Sequence, residues 1–315
     1  MLLEGQAMRE GRGLAAKSPA RLRRRGAAIG PDWRNGLFVL PFLLVYLALL
    51  VYPLFRGMWI SLLQFDMFDQ TASFAGFTNF RRLLADRIFL GTVGNTVLFV
   101  AMTVPAFVVI GLALALALNR EGRAGAVLRA IFFGTSVLSV TIVTIIWKMM
   151  YLPDRGLISG ILGVFGAAPV PFLTSQDLAL PAIAVCTVWW IIGLPMMLFL
   201  AALQQIPGEL YEAAALDNAS RWRSFVSITL PSIRRTLLVV VIYEIVAQFQ
   251  LFGQALLLTK GGPNNASRPI VLFIYEQGFR DWNLGYAAAA SEILFLFMAV
   301  AAIAQYLASR RRAEG

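Results

Sequence analysis

Long apolar runs, separated by short polar blocks, set the pattern of this chain. A helix crosses ~30 Å of hydrocarbon with about 20 predominantly apolar residues. Six runs reach that length: residues 37–63, a stretch within 88–118, then 130–151, 178–203, 236–258 and 284–307. Charges inside them are few: Arg56 and Lys148 near span ends, Glu244 in the fifth run and Glu292 in the sixth. The pattern predicts an all-α, polytopic membrane protein with six transmembrane helices. Between the third and fourth runs, "GLISGILGVFGAAPVPF" is apolar but short and rich in Gly and Pro, and reads as a packed external loop or interfacial hairpin. Before the second run, Phe77, Phe80, Leu83 and Leu84 recur at helical spacing among Arg81, Arg82 and Asp86. That spacing predicts an amphipathic helix lying in the membrane interface.

Composition agrees with a membrane solvent. The chain has 315 residues, of which 59% are hydrophobic and 14% charged, against about 25% charged in an average soluble domain. It has no His, and its one Cys, Cys186, sits inside an apolar run. These counts argue against a metal site, a disulfide framework and Cys/His or Ser/His nucleophilic catalysis, and so against a membrane enzyme. None of the three lysines, Lys17, Lys148 and Lys260, stands in a GxxxxGK[ST] pattern. Any ATP the protein uses is therefore bound by another chain.

The net charge is +10, and where it lies decides what it means. With the N-terminus inside, the cytoplasmic segments hold eighteen of the 27 basic residues and eight of the 17 acids. The whole basic excess then falls on one side, as membrane topology requires, and an N-in, C-in orientation follows. Basic residues beside spans replace the nucleic-acid reading that a pI of ≈ 10.3 would otherwise invite. The chain divides into a basic cytoplasmic tail over 1–36, containing "RLRRR", a membrane domain over 37–308 and a basic end over 309–315. The first apolar run begins late and is long enough to span, so the tail reads as uncleaved.

This topology puts residues 204–232 in the cytoplasm, and the loop is too long for a simple turn. "IPGELYEAAALD" opens a short helix: Pro207 suits its start, Glu209 and Glu212 complement the dipole, and Ala213, Ala214 and Ala215 are strong helix formers with small side chains. Asp217 and Asn218 break the pattern, Asn being a non-Gly residue that tolerates left-handed geometry. Ser220 is placed to cap a second helix carrying Trp222, Phe225 and Ile228, and Pro231 marks entry to the fifth span.

The stretch "EAAALDNASRWRSFVSITLP" resembles the EAA loop of ABC importer permeases: EAA, three residues, Gly, nine residues, then I-x-L-P. Glu212, Ala213, Ala214, Ile228, Leu230 and Pro231 match at the right distances, and Asn218 stands where that family has Gly. "LTKGGP" at 258–263 resembles a signature of maltose-type carbohydrate-uptake permeases. "FTNFRRLL", "GNTVLF", "WKMMYLPDRGLISGIL", "ALQQIPGELYEAA" and "FIYEQGFRDWNLGYAAAAS" resemble the same family, the third looking more like the first permease of a heterodimeric pair.

The resemblance implies a bacterial inner-membrane permease subunit that moves a di- or oligosaccharide, or a related polyol, by alternating access. It implies a second permease, two ATP-binding subunits that hold ATP and Mg, an extracytoplasmic sugar-binding protein, and no cofactor on this chain. Glu212, Ala213, Ala214, Asp217 and Asn218 would form the ATPase-coupling surface. Glu212 would pair with a basic residue of the ATPase, and the alanines would pack in its cleft. Glu244, Gln248 and Leu251, with Thr187 and Trp190 from the preceding span, would line the substrate path. Intramembrane polar residues rarely face lipid, and hydrogen bonding between helices is the competing use for these. Asn95 and Glu292 read as inter-helix or subunit contacts. A secondary carrier coupled through Glu244 and Glu292 is the alternative, although no internal repeat is visible.

Overall fold

The computed structural model describes residues 33–66, 71–120 and 122–311. The basic tail expected over 1–36 lies outside the described residues as far as position 32, and the basic end does so from 312. Two compact units divide the chain after Tyr52. In the first, helix α1 (Trp33–Tyr46) runs into a π-helical turn (Leu47–Val51), and almost every described side chain from Phe38 onward is exposed. An apolar helix exposed all round is one whose solvent is lipid.

The second unit begins within α2 (Tyr52–Ser61). A small antiparallel hairpin follows, β1 (Leu63–Asp66) on β2 (Thr71–Phe74), with Leu63 opposite Phe74. Periodicity did not predict this hairpin, because the apolar count of the first run passes straight through Leu63. Helix α3 (Thr78–Ala85) is the expected short helix, with Leu83 fully buried, Phe80 packed beside it, and Phe77 and Leu84 exposed. Asn79 Nδ2 donates to the carbonyls of Ser61 and Leu63 at 2.9 Å each, tying α3 to the hairpin.

Helix α4 (Arg87–Leu118) has 32 residues, about 48 Å of helix. Asp86 caps it, accepting from the Ile88 N–H at 2.8 Å, and also accepts from the Tyr286 hydroxyl at 2.9 Å. Its buried stripe, from Phe89 through Phe99 and Phe107 to Leu118, enters all three hydrophobic clusters found among the described residues. Thr92, Thr96 and Thr103 on that stripe donate to the carbonyls of Phe89, Thr92 and Phe99, so their hydroxyls are satisfied inside the helix itself.

Helices α5 (Arg123–Gly134) and α6 (Val140–Met150) meet at 103°, where Ser139 caps α6. The short helix α7 (Leu157–Val164) follows. Helices α8 (Ala179–Ile191) and α9 (Gly193–Leu203) meet at 49°. The polar loop contains α10 (Gly208–Leu216) and α11 (Arg221–Ser224), and continues through a π-helical turn into α12 (Leu230–Ser232). Helix α13 (Arg234–Phe249) then turns 66° from this segment. Helices α14 (Gly253–Leu258), α15 (Ile270–Tyr275) and α16 (Leu284–Arg311) complete the chain.

Among the described residues, three helices are long and apolar enough to cross a membrane singly, and up to six spans result if each bent pair counts as one. The run expected over 130–151 is bent, and the one expected over 236–258 breaks at Gln250–Phe252, sending α14 onto α6 and α8. Gly253 permits that approach: a Cβ there would stand 3.0 Å from Val140 Cγ2. Hydropathy is additive along the chain and does not register such breaks.

Candidate functional site

The polar loop is an elbow. Helix α10 ends in a Schellman motif: the Ala219 N–H donates to Ala214 O at 2.9 Å and the Asn218 N–H to Ala215 O at 3.1 Å, with Asn218 at φ 53°. Asn thus occupies the left-handed position where the resembling pattern has Gly. Ser220 Oγ accepts from the Arg223 N–H at 3.2 Å and opens α11. The Tyr211 and Thr229 hydroxyls are 2.8 Å apart, pinning α10 to the segment that leads into α13. Glu212, Ala213, Asp217 and Asn218 are exposed and Ala214 is half-buried. The elbow therefore offers a small-faced surface that carries exposed acids (Glu212, Asp217) beside exposed arginines (Arg221, Arg223), with no ion pair of its own among the described residues. A groove lined by Ala214, Asp217, Ala219, Arg223, Ser227 and Ile228 runs along it.

Asn218→Gly keeps the left-handed residue and should leave transport unchanged. Asn218→Val forces a β-branched side chain into that region at a cost on the order of 1–3 kcal/mol. ATP-driven uptake in vesicles should fall for Val alone.

Inside the spans, Gln248 Nε2 donates to Glu244 Oε2 at 2.8 Å, and the two residues are 3% and 1% exposed. They face the interior of this chain. Leu251 is buried beside Val143, Trp147 and Ile183 in another cluster. Thr187 donates to Ile183 O at 2.8 Å and accepts from Gln254 Nε2 at 3.4 Å. Trp190 Nε1 donates to Leu138 O at 3.1 Å, and Thr135 Oγ1 donates to Trp190 O at 2.8 Å. The expected path residues thus fall in two places: Glu244 with Gln248 as one pair, and Thr187, Trp190 and Leu251 around the α6–α8 packing. The opposite side of α13 carries an open groove lined by Val239, Ile242, Tyr243, Val246, Ala247 and Gln250. Sequence reading missed Ala247 and Gln250, although i, i+4 and i+7 spacing from Tyr243 marks that face.

Sequence reading also missed the construction of the segment after α14. Lys260, Gly261, Asn264 and Asn265 all have positive φ. Thr259 and Ser267 are joined through their hydroxyls at 2.8 Å, and Asn95 Nδ2 reaches back from α4 to the carbonyls of Asn265 and Arg268 at 2.7 and 3.1 Å. Asn95 is thereby an inter-element contact. Arg268 pairs with Glu276 and lies over the Phe273 ring. Among the described residues no His, Cys, Asp or Glu group could hold a metal ion.

Long apolar helices, bent spans and a rigid polar elbow between them define the membrane permease component of a transport assembly. The chain belongs to the binding-protein-dependent transport system inner membrane component family, whose profile matches residues 83–313. It is 35% identical over 260 residues to the trehalose/maltose transport system permease protein MalF of Thermococcus litoralis, covering 82% of this chain and 87% of that protein. It is 32% identical over 295 residues to the diacetylchitobiose uptake system permease protein NgcF of Streptomyces coelicolor, covering 88% of this chain and 84% of that one. In fold it matches a chain of a bacterial alginate ABC transporter, crystallised with an alginate pentasaccharide-bound periplasmic protein, at a TM-score of 0.78 and 24% identity over 89% of this chain and 95% of that one.

Proposed function

We propose that this permease carries a di- or oligosaccharide, or a related polyol, across the bacterial inner membrane in an ATP-driven importer. The exposed, capped elbow built by Asn218 carries the reading, because it presents a small-faced, charged surface to a protein partner. Its relatives in trehalose/maltose and diacetylchitobiose uptake point to the substrate class. In this reading six spans run N-in and C-in, each bent pair counting as one. Glu212, Ala213, Ala214, Asp217 and Asn218 meet one of two ATP-binding subunits, which hold ATP and Mg and hydrolyse the nucleotide. A second permease meets the open face of α13, and an extracytoplasmic sugar-binding protein delivers the substrate.

The path runs along α13. Tyr243, Ala247 and Gln250 already face its open groove, while Glu244 and Gln248 join it when the spans rearrange. Thr187, Trp190 and Leu251 support its wall. The test is to purify the chain with its partners, reconstitute the complex in liposomes and add candidate binding proteins loaded with defined sugars. ATP hydrolysis and uptake should rise together with one loaded binding protein. Uptake driven by an ion gradient, with no ATPase in the purified complex, would overturn the reading.

A further inference from the structure

Helix α7 does not have the surface of an aqueous loop. Leu157, Ile161, Val164 and Phe165 are all exposed, Val164 at 84% and Phe165 at 82%. They stand at i, i+4, i+7 and i+8, on one face of the helix. Ile158, beside that face, is partly buried and packs against the cluster of Val143, Trp147 and Ile183, so α7 is fixed to the body while Leu157, Ile161, Val164 and Phe165 stay exposed. No charged residue occurs from Gly156 to Gln176, between Arg155 and Asp177.

What covers this face follows from its chemistry and from its neighbour. A patch of this kind in water marks a binding surface. A face that meets a soluble protein only transiently carries polar or charged groups, and this one has none. Helix α6, on which α7 packs, exposes Ile142, Ile145, Ile146 and Met149, the stripe of a lipid-facing span. The exposed charges Asp154 and Arg155 lie in the short connection between that stripe and α7, and Lys148 is exposed on α6; beyond them the chain is uncharged as far as Gln176. Because α6 packs on α8 and α14, whereas α13 packs on α4, α9 and α16, this surface belongs to different elements from the open groove on α13.

We propose that α7 is an outer-leaflet anchor: its Leu157, Ile161, Val164 and Phe165 face is sunk into the acyl chains, and the linker between the third and fourth spans is held by lipid. The inference rests on α6 being a span, so the test reads α6 separately. Cysteine is placed singly at Ile161, Val164, Met149 or Asp154 in a Cys186→Ala background, and a nitroxide is attached. All four positions are exposed, so labelling disturbs no packing. The complete importer is reconstituted in bilayers, and collision with oxygen, which partitions into lipid, is compared with collision with a water-soluble nickel chelate.

The oxygen-to-nickel ratios at Ile161 and Val164 should match that at Met149 and exceed that at Asp154. Ratios matching Asp154 place the face in water and overturn the proposal. Loss of both collisions, with an immobilised spectrum, means that a partner permease or the binding protein covers the face, and also overturns it. A water-like ratio at Met149 itself refutes the span, and with it the membrane reading on which the anchor stands.

Discussion

Glu212→Lys abolishes ATP-driven uptake while the chain stays in the membrane at its normal level. Glu212 is exposed on α10 and its side chain has no hydrogen bond or ion pair to another described residue, so reversing its charge breaks no side-chain contact within the fold. On the proposed function, the whole loss falls on the contact with an ATP-binding subunit. Breaking a charge pair at the core of an interface costs about 2–5 kcal/mol, and reversal adds repulsion to that. Glu209→Lys on the same helix is the control, since both changes alter net charge equally. Uptake and binding-protein-stimulated ATP hydrolysis should collapse for Glu212→Lys and persist for Glu209→Lys. Normal uptake by the Glu212 variant would show that the elbow does not couple through this residue.

Gly193→Ala removes folded protein. Gly193 opens α9 at the 49° bend from α8. A Cβ there would lie 2.5 Å from the Phe132 carbonyl oxygen and 2.6 Å from the Phe133 Cα. Both are backbone atoms of α5, so no rotamer change relieves the overlap and the two helices must part. Overpacking of this kind costs about 1–3 kcal/mol, and more where backbone must move. Thermal melting in detergent should fall by several degrees, with reduced yield. Gly94→Ala is the matching control: nothing stands within 4 Å of its Cβ position, and its melting should be unchanged.

These residues also mark how far the sequence could be read. The elbow was legible because few non-Gly residues accept positive φ, so Asn after Asp217 announces a helix end from local chemistry alone. The spans were legible as apolar counts, but their bends were not. A count does not distinguish Gly193, pressed against backbone, from Gly94, which touches nothing. The polar pair was legible as two residues four apart, yet which side of α13 faces the interior depends on its packing against α4, α9 and α16. Gln254 on Thr187 joins residues 67 apart, and no local rule connects them.

The self-contained hydrogen bonds of α4 bear on how the protein is made. Membrane chains enter the bilayer in order, and α8, α9, α13, α15 and α16, all of which pack on or near α4, emerge after it. A newly inserted α4 must wait in lipid with its hydroxyls facing no protein. Thr92, Thr96 and Thr103 already donate to their own helix, and Glu244 accepts from Gln248 one turn away in the same way. Asn95 is different, because its acceptors lie 170 and 173 residues downstream, and Thr96 Oγ1 likewise gains a second bond, from the Ile270 N–H at 3.0 Å, only when that later segment arrives. The threonines of α4 and the Glu244–Gln248 pair of α13 thus enter the bilayer with partners on their own helices, and Asn95 is a contact completed late in synthesis, when the segment after α14 arrives.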